Sequence, residues 1–258
     1  NYAVWIGHAT YLLNNGELTI ITDPIFSNRA SPATWAGPKR LIPPAIPLGD
    51  LPPIDVVVIS HNHYDHLDLP SLKALQQINP ELTILVPQGD KKLLEGQGLQ
   101  NVHQFRWWQN IRLGKTKLTF TPVQHWSSRG ITDRNSSLWG GWFIKSPSLS
   151  LYHAGDTGYS KDFVRTRETL GVPDVAFIPI GAYEPRWFMR TQHVNPAEAV
   201  QVALDLKAPR SYGMHWGTFI LTDEPVEAPS RALEKAVDES GQAADFFTAP
   251  MPGKIIPL

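Results

Sequence analysis

Along the chain, apolar positions gather in short runs of β-branched and aromatic residues that end at turn formers. Ala3–Ile6, Leu18–Thr22, Val56–Ser60 and Leu82–Val86 are such runs, and their length and composition predict strands. Amphipathic stretches lie between and beyond them, at Ser71–Ile78, Asp162–Leu170, Pro196–Leu206 and Ser230–Ser240, and these predict helices. The third announces its own start. Asn195 can cap a helix, Pro196 gives up an N–H that the first turn would leave unpaired, and Glu198 can bond back to the backbone of the cap. Strands dominate the first third of the chain and alternate with helices afterwards, which predicts an α/β or α+β class with two sheets enclosed by helices. Six prolines fall between Pro38 and Pro53, so this segment can be neither a regular helix nor a central strand and is expected to be a long loop flanking the site. No internal repeat or low-complexity linker interrupts the pattern, and residues 1–258 are expected to form a single domain.

Composition narrows the function classes. With 42% hydrophobic residues the chain can bury a substantial core. The formal net charge is −1 and both signs are spread along the chain, so the basic footprint of a nucleic-acid binder is missing and no nucleic-acid partner is expected. Cysteine is absent, so any metal must be held by imidazole and carboxylate. No apolar run reaches the ~18–20 residues needed to span a bilayer. The first residue is Asn1 and an apolar segment follows at once, so a shortened or processed start is expected; compartment and oligomeric state stay open.

The chemistry concentrates at one strand exit. The apolar run Asp55–Ile59 leads into Ser60-His61-Asn62-His63-Tyr64-Asp65-His66-Leu67-Asp68, where four side chains of metal-ligand type fall within six residues. His61 and His63 are two apart, so an extended backbone sends both to one face, and the following turn swings Asp65 and His66 toward a second point. One short segment can thus serve two adjacent metal ions. Imidazoles and carboxylates without thiolate suit zinc, manganese or iron and the open coordination of a catalytic site. Further candidates stand at the ends of other apolar runs: His125 after Leu118–Val123, Asp156 after Leu149–Tyr152, and His215 after Tyr212–Met214.

With these residues in view, the sequence resembles a known family. His61-Asn62-His63-Tyr64-Asp65-His66 is the signature of the metallo-β-lactamase superfamily. Trp5-Ile6-Gly7-His8-Ala9-Thr10, Thr22-Asp23-Pro24, Gln124-His125-Trp126, Ser137 to Trp142, Gly155-Asp156-Thr157-Gly158-Tyr159, His193 to Glu198 and Met214-His215-Trp216-Gly217-Thr218 resemble its branch of N-acyl-phosphatidylethanolamine-hydrolysing phospholipase D and bacterial relatives. The resemblance implies a four-layer αβ/βα sandwich with two divalent metal ions, zinc first among them, at the edge between the sheets. It implies that His61, His63 and His125 hold one ion, that Asp65, His66 and His215 hold the other, and that Asp156 bridges them. His193 matches a histidine that lies beside the metals in the lipid-cleaving relatives, and is carried over for leaving-group protonation or phosphate binding, with Asp65 as a second group able to position or shuttle a proton. Two ions about 3.5–4 Å apart would supply hydroxide from bound water near neutral pH.

Other residues carry competing readings. Asp23 and Asp68 are candidates to orient ligand imidazoles, or are turn and cap residues. His8 lies in a motif turn and is a candidate for the same supporting role. His153 reads as a satisfied core histidine and His103 as structural or surface. Trp107, Trp108, Trp126, Trp139, Trp142 and Trp187 either line an apolar groove for acyl chains or fill the core. Trp126, Tyr159 and Arg186 are candidates for substrate contact; Arg129, Arg134 and Arg186 could each grip a phosphate or carboxylate, or simply lie on the surface. The resulting expectation is a metal-dependent hydrolase, a phospholipase D-type phosphodiesterase acting on a lipid-like or small-molecule substrate. A lactone, ester or thioester hydrolase of the same fold and a metal-binding scaffold without turnover are the alternatives.

Overall fold

The computed structural model describes every residue from Asn1 to Leu258. Six strands of the first half, β1 (Tyr2–Gly7), β2 (Thr10–Asn14), β3 (Thr19–Thr22), β4 (Val56–Val58), β5 (Thr83–Pro87) and β6 (Val102–Phe105), form one sheet in chain order. The second sheet holds β7 (Asn110–Leu113), β8 (Thr116–Thr121), β9 (Gly141–Lys145), β10 (Ser150–His153), β11 (Val175–Pro179), β12 (Arg210–Met214) and β13 (Phe247–Thr248), again in chain order. The last strand, β14 (Ile255–Pro257), returns to the first sheet and pairs antiparallel with β1. Each sheet has an antiparallel part and a parallel part. β3 to β6 run parallel in the first, β10 to β13 in the second.

Parallel neighbours need crossovers, and the predicted helices supply them. α1 (Leu69–Ile78) and α2 (Lys91–Gly96) connect β4 to β5 and β5 to β6. On the other side α3 (Asp162–Leu170), the single turn α4 (Arg186–Met189), α5 (Pro196–Leu206) and α6 (Ala228–Glu239) connect the strands from β10 to β13. Alternation in β4 shows how the layers are assigned. Val57 joins the cluster formed with Leu72, Leu75 and Leu94 of α1 and α2, whereas Val56 and Val58 join the larger cluster between the sheets. The sheets also meet through polar groups: Trp142 Nε1 donates to the Ile59 carbonyl at 2.8 Å and Tyr11 Oη to the Gly213 carbonyl at 2.8 Å. The result is the αβ/βα sandwich that the resemblance implies. No helix is long and apolar enough to cross a membrane.

The expected helices lie within two residues of their observed bounds, and α5 opens with the full capping box: Glu198 N donates to Asn195 Oδ1 and Asn195 N to Glu198 Oε2. β4 is shorter than expected. Ile59 and Ser60 leave the strand, and the Ser60 N–H is taken by Asp23 Oδ1 at 2.7 Å. The proline-rich loop holds one 3₁₀ turn, Leu48–Asp50, and otherwise no helix. Arg40 bridges to Phe219, which fastens this loop to the segment that follows His215.

Candidate metal centre

Loops leaving the ends of β1, β3, β4, β10 and β12, together with the segments around His125 and His193, converge at one edge between the sheets. Three residues in this region, His8, Asp23 and His215, have positive φ angles of 53°, 38° and 62° without being glycine. Such conformations cost of order 1–3 kcal/mol each, so the surroundings must hold them. Asp23 shows how. It is fully buried, and its carboxylate accepts from the Ser60 backbone and hydroxyl, from His66 Nδ1 at 2.9 Å and from His153 Nε2 at 2.9 Å. Hydrogen bonds to a charged group contribute about 1.5–3 kcal/mol each, enough to outweigh the backbone cost. Burial works to raise the Asp23 carboxyl, but His66 and His153 hold it down at about 2.

The donors fall into two groups. In the first, His61 Nε2 and His63 Nδ1 lie 2.8 Å apart and His125 Nε2 lies 3.4 Å from His63 Nδ1. His125 Nδ1 donates to the Gln192 carbonyl, and His61 Nδ1 to Ser60 Oγ, whose own proton goes to Asp23. Each of these two rings, when neutral, therefore turns an Nε2 lone pair inward. Burial keeps both neutral, pushing His61 and His125 well below the usual imidazole range. Inward lone pairs with one ring proton at most to share among three nitrogens repel one another, and a cation is what such a set accommodates.

In the second group His215 Nε2 stands 3.2 Å from Asp65 Oδ2 and 3.0 Å from Asp156 Oδ2, and His66 Nε2 stands 3.4 and 3.2 Å from the same two oxygens. Asp156 Oδ2 is also 3.9 Å from both His61 Nε2 and His125 Nε2, which puts it between the groups. Burial opposes charge on His66 and His215, but Asp156 and Asp65 outweigh it, raising His66 well above the usual range and His215 to about 9. His61, His63 and His125 place donor atoms within 4.8 Å of one another, as do His8, Asp65, His66 and His215, and Asp156 does so with His61 and His66; such spacings suit an ion bound at roughly 2.0–2.2 Å. The cluster is able to bind metal ions.

Around it, His193 Nδ1 is buried without a partner, 3.9 Å from Asp156 Oδ2, and burial lowers this ring to about 4. His8 Nε2 donates to Asp65 Oδ2 at 2.8 Å. The Trp126 ring stands edge-on to His63 with centroids 4.4 Å apart, and Arg134 lies over that same ring at 4.3 Å.

Other expected site residues go elsewhere. Asp68 reaches no imidazole; it accepts from the hydroxyls of Ser27 and Ser71 at the head of α1. Arg186 is not open to substrate, because its guanidinium binds Glu198 Oε2 at 2.7 Å and the His193 carbonyl at 2.9 Å. Tyr159 gives its hydroxyl to Asp205 on α5 at 2.7 Å. The tryptophans form no single groove: Trp142 is core, Trp107 and Trp139 pair edge to face, and Trp187 is exposed on α4. Arg129 holds the Asn62 and Leu67 carbonyls at 2.8 Å each, His153 is a core histidine bound to Asp23, and His103 is on the surface. Two supporting groups escaped the sequence reading. Ser60 carried a signal, a hydroxyl beside the histidine run at a strand exit; the Gln192 carbonyl carried none. A cavity of about 980 Å³ lies outside this cluster and is lined in part by Asn62, Tyr64, Asp68 and Arg129.

Residues 19–216 match the family model described as "Beta-lactamase superfamily domain". An N-acyl-phosphatidylethanolamine-hydrolyzing phospholipase D 1 of Caenorhabditis elegans is 40% identical over 97% of this chain and 74% of its own length. The chain belongs to the metallo-β-lactamase superfamily, in its N-acyl-phosphatidylethanolamine-hydrolysing phospholipase D branch. A Saccharomyces cerevisiae member of that branch is 38% identical over 93% of this chain, which spans only 52% of the yeast protein. The same fold is present in Igni18, a metallo hydrolase of Ignicoccus hospitalis, with a TM-score of 0.74 at 20% identity, covering 99% of this chain and 97% of that one. Branch membership and the histidine and aspartate cluster make the protein a metal-dependent hydrolase of the metallo-β-lactamase fold.

Proposed function

We propose that the protein is a phosphodiesterase of the phospholipase D type, hydrolysing an acylated, lipid-like phosphodiester. The observation that carries this reading is 40% identity across 97% of the chain to a relative named for that reaction. It is supported by the convergence of His61, His63, Asp65, His66, His125, Asp156 and His215 on one edge. In this reading His61, His63 and His125 would hold one divalent ion, Asp65, His66 and His215 would hold a second, and Asp156 would serve both. Zinc suits these donors best, and manganese or iron would also be accepted. When bound, such a pair activates water at neutral pH and offsets the charge that develops on phosphate oxygens.

The protein's own groups do the rest. Asp23, Ser60 and the Gln192 carbonyl hold the ring orientations, so little reorganisation is needed during reaction. His193 offers Nδ1, which has no partner within the fold, to a phosphate oxygen or to the departing alcohol oxygen. Asp65 takes the proton from the attacking water. Trp126, with Arg134 above it, forms the wall beside His63 and is the candidate for substrate contact. Water oxygen joins phosphorus, the bond from phosphorus to the alcohol oxygen breaks, and the proton that Asp65 took from the water ends on the departing alcohol oxygen, so neither Asp65 nor His193 changes its protonation over the cycle.

Incubation with N-acyl-phosphatidylethanolamine in ¹⁸O-water tests this. Phosphatidic acid carrying the label and N-acylethanolamine should appear in equal amounts, and Asp156→Asn should abolish both. Fatty acid release or lactone opening without phosphatidic acid would replace the reading with an ester hydrolase. Bound metal with no turnover on any of these substrates would leave a scaffold.

A further inference from the structure

His8 is buried to 1% exposure and fixed by four contacts. Its backbone N–H donates to Thr218 Oγ1 at 2.7 Å, and its carbonyl accepts from the His215 N–H at 2.9 Å and from Trp5 Nε1 at 2.7 Å. Its ring donates from Nε2 to Asp65 Oδ2, while Nδ1 has no partner. The ring lies 4.1 Å from that of His215 and stands edge-on to Phe219 at 5.2 Å. The 2.8 Å contact to a carboxylate, which can only accept, places a ring hydrogen on Nε2. That hydrogen goes to the Asp65 oxygen that faces His66 and His215. A carboxylate oxygen has two lone-pair directions, and with one taken by His8 the other is left to point at the second donor group.

We propose that His8 is a positioning residue for that second group: its ring N–H fixes the Asp65 carboxylate and its backbone fixes His215, so that it sets how tightly this half of the cluster holds a metal ion. The first group has no contact with His8, so the effect is confined to one of the two ions. This rests on the reading that the cluster holds two. The unfavourable positive φ at His8 fits the same role, since the strain is tolerated where ring and backbone are both committed.

Cobalt titration of chelator-treated protein, followed by the visible spectrum, tests it on three variants. His8→Asn suits the positive φ but is too short to reach Asp65; His8→Phe keeps the ring packing without the donor; His8→Gln restores an N–H at about the right reach. The parent protein should take up two equivalents. In His8→Asn and His8→Phe the second should bind roughly 10–100-fold more weakly with an altered spectrum, the first unchanged, and His8→Gln should recover much of the loss. Equal weakening of both ions, together with a lower melting temperature of the chelated variant, would reduce His8 to a fold-stabilising residue and overturn the proposal. So would two unchanged equivalents in His8→Asn and His8→Phe. Fewer than two equivalents in the parent protein would instead overturn the two-ion reading, and this proposal with it.

Discussion

At the scale of single residues, charge placement decides more than size. Asp90 is buried to 1% exposure; its Oδ1 accepts from Asn62 Nδ2 at 2.9 Å and Ser137 Oγ at 2.7 Å, while Oδ2 has no partner, and neither has Asn62 Oδ1. Burial raises the Asp90 carboxyl to about 6, with the two hydrogen bonds opposing. Because the folded-state value lies above the unfolded one, near 3.9, this group favours folding below about pH 4, and its contribution is lost as pH rises through 6. Asp90→Asn keeps the Oδ1 acceptor and replaces the orphaned oxygen with a permanent donor. The variant should therefore match the parent below pH 4 and exceed it at pH 8 by about 3 kcal/mol, since the folded and unfolded values lie about two pKa units apart and one unit is about 1.4 kcal/mol. Urea unfolding at the two pH values measures this, and equal differences at both would show that Asp90 does not titrate in this range.

At the scale of elements, α5 does more than fill a layer. Its capping box is joined by Arg186, which binds Glu198 and the His193 carbonyl together, so the helix start and His193 share one hydrogen-bond network. Asn195→Ala should cost about 1 kcal/mol, or roughly 2–4 °C in melting temperature, and should lower kcat through His193 while metal content stays the same. A melting shift with unchanged kcat would separate the cap from the site. This helix was legible in the sequence because its signals are local: the cap, the proline and the glutamate stand within four residues. The histidine run was legible for the same reason. What depended on distant partners was not. Arg186 looked available until Glu198, twelve positions on, was found against it, and Asp68 looked like an imidazole orienter until Ser27 and Ser71 proved to be its partners. The pairing of β14 with β1 could not be read either, since a three-residue strand carries little periodicity and its partner is at the other end of the chain.

At the scale of the molecule, the two sheets divide the chain between them, and the candidate site is where their loops meet. The first half contributes His8, Asp23, His61, His63, Asp65 and His66, and the second contributes His125, Asp156, His193 and His215. Neither half has a complete donor set: His61 and His63 lack a third imidazole, and Asp65 and His66 lack His215 and Asp156, whose carboxylate lies between the two groups. An ion bound here closes a link between sheets that otherwise meet through apolar packing and single contacts such as Trp142 to the Ile59 carbonyl. Since unfolding separates the halves, the unfolded chain binds the ion less well, and metal at 100 times its dissociation constant should stabilise the fold by about 2.7 kcal/mol. For a chain of this size that is a melting shift of roughly 5–10 °C between metal-loaded and chelated protein. Asp156→Asn removes the one donor shared by both groups, so its melting temperature should respond far less to added metal. If chelation removes measurable metal yet leaves the melting temperature of the parent unchanged, the ions do not link the sheets, and the two halves hold together by packing and by direct hydrogen bonds such as His153 to Asp23.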